Sequence, residues 1–131
     1  MTAARRSWPT DVQVLTGVPT MRTVDGHYDP APFYLSADSF GGMPIQLAGG
    51  DISDKVGKPV AAPHRHNVPE VYFLVSPTPK GARIDVTVNG EHHELSSPAL
   101  LYVPAGAEHC FLTLAAEPGS YCFGILLEDR A

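Results

Sequence analysis

Residues 83–95, Arg-Ile-Asp-Val-Thr-Val-Asn-Gly-Glu-His-His-Glu-Leu, are the stretch of sequence that decides the fold class. The first six residues alternate between polar and apolar side chains, with Ile84, Val86 and Val88 on one side. This is the pattern of a strand that buries one face. Asn89-Gly90 then supplies the two residues of positive φ that a type I′ turn requires. The stretch therefore predicts a β-hairpin.

The rest of the chain carries the same kind of signal on both sides of this hairpin. Short runs rich in Val, Ile, Leu, Phe and Tyr are separated by turn residues, with 13 Pro and 12 Gly among 131 residues. Such punctuation is typical of an all-β sandwich or barrel, and no stretch has the apolar stripe of a helix. The strands that we predict are Val12–Thr16, Ile45–Ala48, Glu70–Val75, Arg83–Val88, His92–Leu95, Leu100–Val103, His109–Leu114 and Tyr121–Leu127. A second hairpin is expected to join the last two across residues 116–119, Ala-Glu-Pro-Gly.

The length of 131 residues suits one domain with one core. We expect residues 1–40 to form an N-terminal arm with one or two edge strands, and residues 41–131 to form the barrel of the same domain. The strand 70–75 has apolar side chains at successive positions from Val71, so both of its faces should be buried. The barrel interior would cover one face. A partner subunit would cover the other, which makes a homodimer the default expectation, although a packed N-terminal arm would serve equally well.

Composition and charge exclude several classes of partner. The net charge is −5, with 9 basic and 14 acidic residues, so no basic surface is available for a phosphate backbone and nucleic acid is not expected. No apolar run approaches the length of a bilayer crossing, and no apolar core follows Arg5 and Arg6 as a secretory signal would require. We therefore expect a cytoplasmic protein, in which Cys110 and Cys122 are small buried residues and not a disulfide.

The candidate metal ligands begin with a His-x-His pair. His64 and His66 are two residues apart, so in an extended segment they project from one face, about 7 Å apart from Cα to Cα. Residues 67–69, Asn-Val-Pro, break the chain, and Glu70 then opens the next strand, from which it can return a carboxylate to the same point. Three ligands can thus converge on one ion.

A fourth candidate ligand lies about forty residues further along the chain. Residues 104–109 read Pro-Ala-Gly-Ala-Glu-His, where Pro and Gly shape a turn that leads His109 into a strand. If that strand lies beside His64, the site closes. Three imidazoles and a carboxylate suit one divalent transition metal ion, namely Fe, Mn, Ni, Zn or Cu, and they leave positions open for a substrate.

These two segments resemble the two sequence motifs of the cupin superfamily. Gly57 and residues 64–70 are similar to the first motif, and residues 104–109 are similar to the centre of the second. Three positions depart from the motifs, because turn glycines are replaced by proline and a strand asparagine by threonine: Pro77, Pro98 and Thr113. The resemblance implies a small single-domain cupin, whose fold is a double-stranded β-helix, or jelly-roll barrel. It also implies metal ligation by His64, His66, Glu70 and His109.

Strand alternation indicates which neighbours of the ligands line the site. Tyr72 and Phe111 follow Glu70 and His109 by two residues, so they should share the inward face, shape the pocket wall and contact a substrate. By the same argument, Val71, Cys110 and Leu112 point away from the metal. Arg83, His92 and His93 are expected on a solvated strand, and His27 in a loop, where it could line the mouth of a pocket.

Three functions remain open at this point. The first is a metal-dependent enzyme that acts on a small organic molecule as a dioxygenase or other oxidoreductase, in which the ion polarises the substrate. The second keeps the metal without redox chemistry, as a lyase, decarboxylase, isomerase or cyclase. The third is a non-catalytic protein that binds a small molecule. The residues identify neither the substrate nor the catalytic groups.

Overall fold

The structure is a computed structural model that describes residues 8–128. Its regular elements are strands, apart from a short 3-10 turn at Ser39–Gly41. The strands are β1 (Thr20–Arg22), β2 (Ala31–Leu35), β3 (Ile45–Asp51), β4 (Glu70–Val75), β5 (Ala82–Val88), β6 (Glu91–Ser96), β7 (Ala99–Val103), β8 (His109–Ala116) and β9 (Tyr121–Leu127). The predicted all-β class is thus confirmed. No helix in residues 8–128 is long and apolar enough to cross a membrane.

The strands form two antiparallel sheets. The larger sheet has six strands in the order β1-β2-β3-β9-β4-β7, and the smaller has three in the order β6-β5-β8. Three of the five neighbouring pairs in the large sheet, β3-β9, β9-β4 and β4-β7, join strands that are far apart in sequence. Most of the ladder is therefore non-local.

The hairpin of β5 and β6 forms where the sequence predicted it. Asn89 and Gly90 have φ values of 49° and 81°, and Val88 pairs with Glu91 across the turn. Ile84 and Val86 are fully buried, whereas Arg83 is exposed and forms an ion pair of 2.7 Å with Glu94. The alternation of polar and apolar residues thus sets which face of β5 enters the core.

The second predicted hairpin is wrong. β8 pairs with β5 in the small sheet, while β9 pairs with β3 and β4 in the large sheet. The connection between them does reverse the chain at Gly119, whose φ is 83°. A turn signal reports a reversal of direction and not the strand that the chain then joins, so the connection here crosses between the two sheets.

The predicted strand at residues 12–16 is also wrong. Val12 and Val14 are 96% and 83% exposed, and residues 12–16 pair with no strand of residues 8–128. Alternating apolar residues form a strand only where a neighbouring edge takes up their backbone hydrogen bonds. The first forty residues instead contribute β1 and β2 to the large sheet. The division into an arm and a barrel at residue 40 stays a prediction.

The core lies between the two sheets. It is built from alternate residues of β4, β5, β7 and β9 together with two loop residues, namely Ile52, Tyr72, Leu74, Ala82, Ile84, Val86, Val103, Ala107 and Cys122. Full burial of one such aliphatic side chain contributes roughly 1.5–3 kcal/mol. Glu70 and His109 lie at the edge of this core and are nevertheless 9% and 2% exposed.

The outer face of β4 is not covered by residues 8–128 of the single chain, so its burial by a partner subunit stays a prediction. Tyr72 and Leu74 point into the core, but Phe73 on the outer face is 36% exposed. Beside it on β7, Leu100 and Tyr102 are 67% and 59% exposed. The outer face of the large sheet therefore carries apolar side chains that the described part of the chain does not cover.

Candidate metal centre

Two backbone connections bring the two motif segments together. His64 and His109 exchange backbone hydrogen bonds of 3.0 and 2.9 Å, so their side chains lie on the same face. The Gly106 amide also donates a hydrogen bond of 2.8 Å to the His66 carbonyl, which ties the turn before β8 to the His-x-His segment. Gly106 has a φ of 80°, a conformation that glycine adopts without strain.

The three imidazoles converge inside the barrel. Ring centroids are 4.6 Å apart for His64 and His109, 4.9 Å for His64 and His66, and 5.1 Å for His66 and His109. Each ring offers one nitrogen, and these nitrogens all lie within 4.8 Å of one another. The three histidines can therefore hold one metal ion.

The Glu70 carboxylate adjoins this group of three. Its Oε1 is 2.8 Å from His109 Nε2 and 3.4 Å from His66 Nε2. Burial alone would raise the pKa of Glu70, but the hydrogen bonds from His109 and His66 outweigh it and lower the pKa to about 2. Glu70 is therefore a carboxylate in the folded chain, available to the same point as the imidazoles.

Two backbone carbonyls orient the imidazoles of His64 and His109. Each ring donates from Nδ1 to the carbonyl two residues before it, at 2.7 Å to Ala62 and 2.9 Å to Ala107. Since a carbonyl only accepts, Nδ1 carries the proton and Nε2 faces the centre. This is the arrangement in which neighbouring acceptors fix the tautomer of a histidine ligand.

The ring of His109 faces an acceptor at both nitrogens, the Ala107 carbonyl and the Glu70 carboxylate. Burial alone would lower the pKa of His109, but these two hydrogen bonds outweigh it and raise the pKa. Burial lowers the pKa of His64, and the neighbouring imidazoles of His109 and His66 act in the same direction. A cation between His109 and Glu70 would take the place of the Nε2 proton.

A glycine on β9 makes room for Glu70. A Cβ atom placed on Gly124 would overlap Oε2 of the Glu70 carboxylate. Gly124 lies opposite Tyr72 on the neighbouring strand β4 and faces the interior. Gly124 was not among the residues predicted for the site, although an isolated glycine in an apolar strand is a known sign of close approach.

The two predicted wall residues lie on the inward face beside the ligands. The Tyr72 ring is 6.1 Å from that of His109 and 5.4 Å from that of Phe111. Burial raises the pKa of the Tyr72 hydroxyl well above its usual range, so this hydroxyl stays neutral. Contact of either residue with a substrate stays a prediction.

The two cysteines are free and differ in environment. Cys110 is half-buried on β8, and Cys122 is buried in the core. Burial raises the pKa of the Cys122 thiol to about 12, so it is not a nucleophile at neutral pH.

His27 lies beside the centre, closer than its loop position suggested. Its ring centroid is 5.1 Å from that of His64, and its backbone forms a bridge with Ala61. Burial lowers the pKa of His27, and the neighbouring His64 lowers it further. The charge of Glu70 raises this pKa, but by less. No nitrogen of His27 belongs to the group of ligand atoms within 4.8 Å, so His27 adjoins the three imidazoles without joining them.

Several solved structures are similar to this architecture. A cupin-like protein from Thermotoga maritima is 12% identical, with a TM-score of 0.58 over 88% of this chain and 82% of that one. An RmlC-like cupin from Shewanella frigidimarina is 12% identical, with a TM-score of 0.53 over 92% and 94%. The chain has the cupin fold. The predicted jelly-roll barrel is thereby confirmed.

A further match is the iron(II) protein HppE. It is 13% identical, with a TM-score of 0.59 over 92% of this chain, which spans 62% of that protein. No family model matches the chain, and no curated protein matches it. At these identities the likeness concerns the fold, so the roles of residues in this cupin barrel rest on its own geometry.

The four predicted ligands all lie at one point of the barrel. His64, His66 and His109 form the group that can hold a metal, and Glu70 is hydrogen bonded to two of them. Of the positions that depart from the motifs, Thr113 is buried in β8. Its backbone carbonyl accepts a hydrogen bond of 2.9 Å from the Gly57 amide. Ligation by the four residues stays a prediction, which is taken up below.

Proposed function

We propose that the chain is a metal-dependent enzyme that acts on a small organic molecule, and that its reaction is an oxygenation. The observation that carries the proposal is the convergence of three imidazoles on a buried carboxylate. A buried charge has a high desolvation cost, and such a carboxylate persists where cations or strong donors face it. A side-chain cluster that serves stability alone is normally apolar, because it then avoids this desolvation cost.

Four side chains would be the ligands of a divalent transition metal ion, namely His64, His66, Glu70 and His109. His64 and His109 have their Nδ1 protons held by carbonyls, so Nε2 is the coordinating atom of each. The space next to Gly124 accommodates the Glu70 carboxylate. Nitrogen and oxygen donors together suit iron, manganese, nickel, zinc or copper, and the iron(II) protein of the same fold makes iron the first metal to test.

The side chains around the proposed metal have different roles in the reaction. A bound metal supplies Lewis acidity, and iron or copper also supplies redox chemistry. Glu70 keeps the charge of the site low, because one carboxylate offsets half of a divalent charge. Tyr72 and Phe111 exclude water from one side of the substrate, and the neutral Tyr72 hydroxyl is available as a hydrogen-bond donor.

Metal analysis followed by oxygen uptake tests the proposal. Protein purified without added metal is analysed for its elements, and iron-, copper- and nickel-loaded samples are then mixed with a catechol, a flavonol and an enediol. Oxygen consumption with one metal and one substrate class supports the oxygenase. Turnover without oxygen would assign the chain to the lyases, decarboxylases, isomerases or cyclases. Tight binding without conversion would leave a non-catalytic binding protein.

We also propose that the protein is a homodimer that buries its outer apolar face, defined as Val71, Phe73, Leu100, Tyr102, Tyr121, Phe123 and Ile125. Register puts these residues on one side of the large sheet, since Phe73 pairs with both Leu100 and Phe123. Contiguous exposed apolar surface is typical of subunit contacts. Sedimentation velocity should give twice the monomer mass, and Tyr102→Glu should shift the protein to the monomer. A monomeric wild-type protein would exclude the dimer.

The remaining partners follow from charge and compartment. The net charge of −5 disfavours nucleic acid and anionic membranes, so the small molecule and the second copy are the proposed partners. We place the protein in the cytoplasm, where the free thiols of Cys110 and Cys122 stay reduced. Fluorescence microscopy of a tagged chain tests the location.

A further inference from the structure

His27 is held at the metal centre by backbone hydrogen bonds on both sides. The Tyr28 amide donates to the Val60 carbonyl at 3.1 Å, and the Ala62 amide donates to the Gly26 carbonyl at 2.8 Å. Residues 26–28 thus pair with residues 60–62, the segment that leads into His64. The position of His27 is a result of this pairing and not of a free loop.

The pairing also sets the direction of the His27 side chain. His27 and Ala61 are opposite each other in an antiparallel bridge, so their side chains project to the same face. Ala61 is 4% exposed and therefore points inward. His27 points inward with it and packs its ring 5.1 Å from the ring of His64.

Close packing at Gly26 keeps this segment against the ligand. A Cβ on Gly26 would lie 3.0 Å from Cβ of His64, and Gly26 has a φ of 83°. A larger residue would therefore push His27 and its turn away from the centre. Among residues 8–128, the ring of His27 has a ring neighbour in His64 but makes no hydrogen bond. Its N–H donor is free for a ligand.

The guanidinium of Arg65, in the same segment as the ligands, is engaged on the exposed surface and does not serve an anion at the centre. Arg65 lies between the two histidines in sequence, but its guanidinium donates to the Gly106 carbonyl at 2.8 Å and forms an ion pair of 3.4 Å with Glu108 on the exposed surface. A divalent ion with the single carboxylate of Glu70 leaves a net charge of about +1 at the centre. Such a centre favours a monoanion with oxygen donors.

We propose that His27 is a binding residue for a small oxygen anion that shares the centre with the metal, and that its imidazole N–H donates a hydrogen bond to one oxygen of that anion. This inference rests on the proposed metal function. It assigns the substrate to molecules that present a carboxylate, an enolate or a similar monoanionic pair of oxygens, of which at least one binds the metal and one accepts the hydrogen bond from His27.

The test separates anion binding from metal binding. Co²⁺ is titrated into wild type, His27→Ala, His27→Gln and the distant control His92→Ala, and visible absorption reports the ligand set. Acetohydroxamate, a small monoanionic chelator with two oxygen donors, is then titrated into each cobalt-loaded protein. Circular dichroism melting checks that every variant is folded.

We expect all four proteins to bind Co²⁺ within about threefold of one another, with the same absorption bands. His27→Ala should bind acetohydroxamate at least about tenfold more weakly, because a hydrogen bond to an ionic group is lost. His27→Gln keeps an N–H donor and should recover most of the affinity, and His92→Ala should match wild type.

Three outcomes would overturn the inference. Unchanged acetohydroxamate affinity in His27→Ala would do so while leaving the metal centre intact. A loss of Co²⁺ affinity of about a hundredfold in that variant would make His27 a metal ligand instead. Failure of the wild-type protein to bind Co²⁺ would remove the proposed function along with it.

Discussion

Two histidine–carboxylate pairs in this barrel have nearly the same length and very different surroundings. His109 and Glu70 are 2.8 Å apart with side chains 1% and 11% exposed, whereas His92 and Asp85 are 2.7 Å apart with side chains 70% and 24% exposed. The first pair is joined by two more imidazoles, and the second lies on the outer face of the small sheet. Burial and convergence, and not the distance within a pair, distinguish a candidate site from an ordinary surface contact.

The largest difference between the two pairs is expected from removal of each histidine. His109→Ala leaves the Glu70 charge buried without its main donor and should destabilise the protein by roughly 3–5 kcal/mol. It should also abolish metal binding. His92→Ala, the same change in the exposed pair, should cost less than about 1 kcal/mol. Urea unfolding followed by circular dichroism measures both, and equal losses would contradict the distinction.

The second-largest effect is expected from acid, which should reduce the folding stability that the buried pair contributes. The pKa of Glu70 is about 2 in the folded chain and 4.5 ordinarily, so the unfolded chain takes up the proton first as the pH falls. The stability from this group is complete above about pH 4.5 and is lost toward pH 2, by on the order of 3 kcal/mol. Since the pKa of His109 is raised, its contribution is complete below pH 6.5 and is lost above it.

Glu70→Gln should remove the acid-dependent loss of stability, whereas Asp85→Asn should retain it because Glu70 is intact. Unfolding free energies measured from pH 2 to pH 8 in the presence of EDTA give both profiles. A Glu70→Gln profile as steep as that of wild type between pH 2 and pH 4.5 would mean that another carboxylate is responsible.

A smaller effect is expected from the space around the Glu70 carboxylate. Gly124→Ala places a methyl group against Oε2, so we expect a loss of about 1–3 kcal/mol and a metal affinity about tenfold to a hundredfold weaker. Gly50→Ala on the neighbouring strand is the matched control, because its Cβ would meet nothing within 4 Å. Calorimetric titration with Ni²⁺ measures the affinities. Equal affinities in the two variants would show that Gly124 does not position Glu70.

The smallest effect is expected within the exposed pair itself. A double-mutant cycle of His92→Ala and Asp85→Ala should give a coupling energy below about 1 kcal/mol, and 0.5 M salt, roughly five times the ionic strength of a standard buffer, should reduce it further. Thermal unfolding at two salt concentrations measures this coupling. A coupling of several kcal/mol would place the exposed pair in the same class as the buried one.

The sequence predicted those features that depend on local geometry. Asn89-Gly90 specifies its hairpin because few residue pairs tolerate positive φ twice, and alternation put Ile84 and Val86 in the core. Alternation along an extended segment likewise put His64 and His66, two residues apart, on one face. The predictions that missed concern pairing, since Val12 and Val14 alternate like a strand and yet find no neighbouring edge.

The amino-acid sequence by itself determined the all-β class and the β5–β6 hairpin, because residue alternation and turn residues act within a few bonds of the backbone. The four candidate metal ligands came from the spacing of His64 and His66 together with the resemblance to the cupin motifs. Only the tertiary structure decided that β8 and β9 belong to different sheets, that Gly124 makes room for Glu70, and that His27 lies beside His64. Each of these depends on residues more than twenty positions apart. Which edge a strand joins is a matter of how the whole core packs, and no local pattern carries that information.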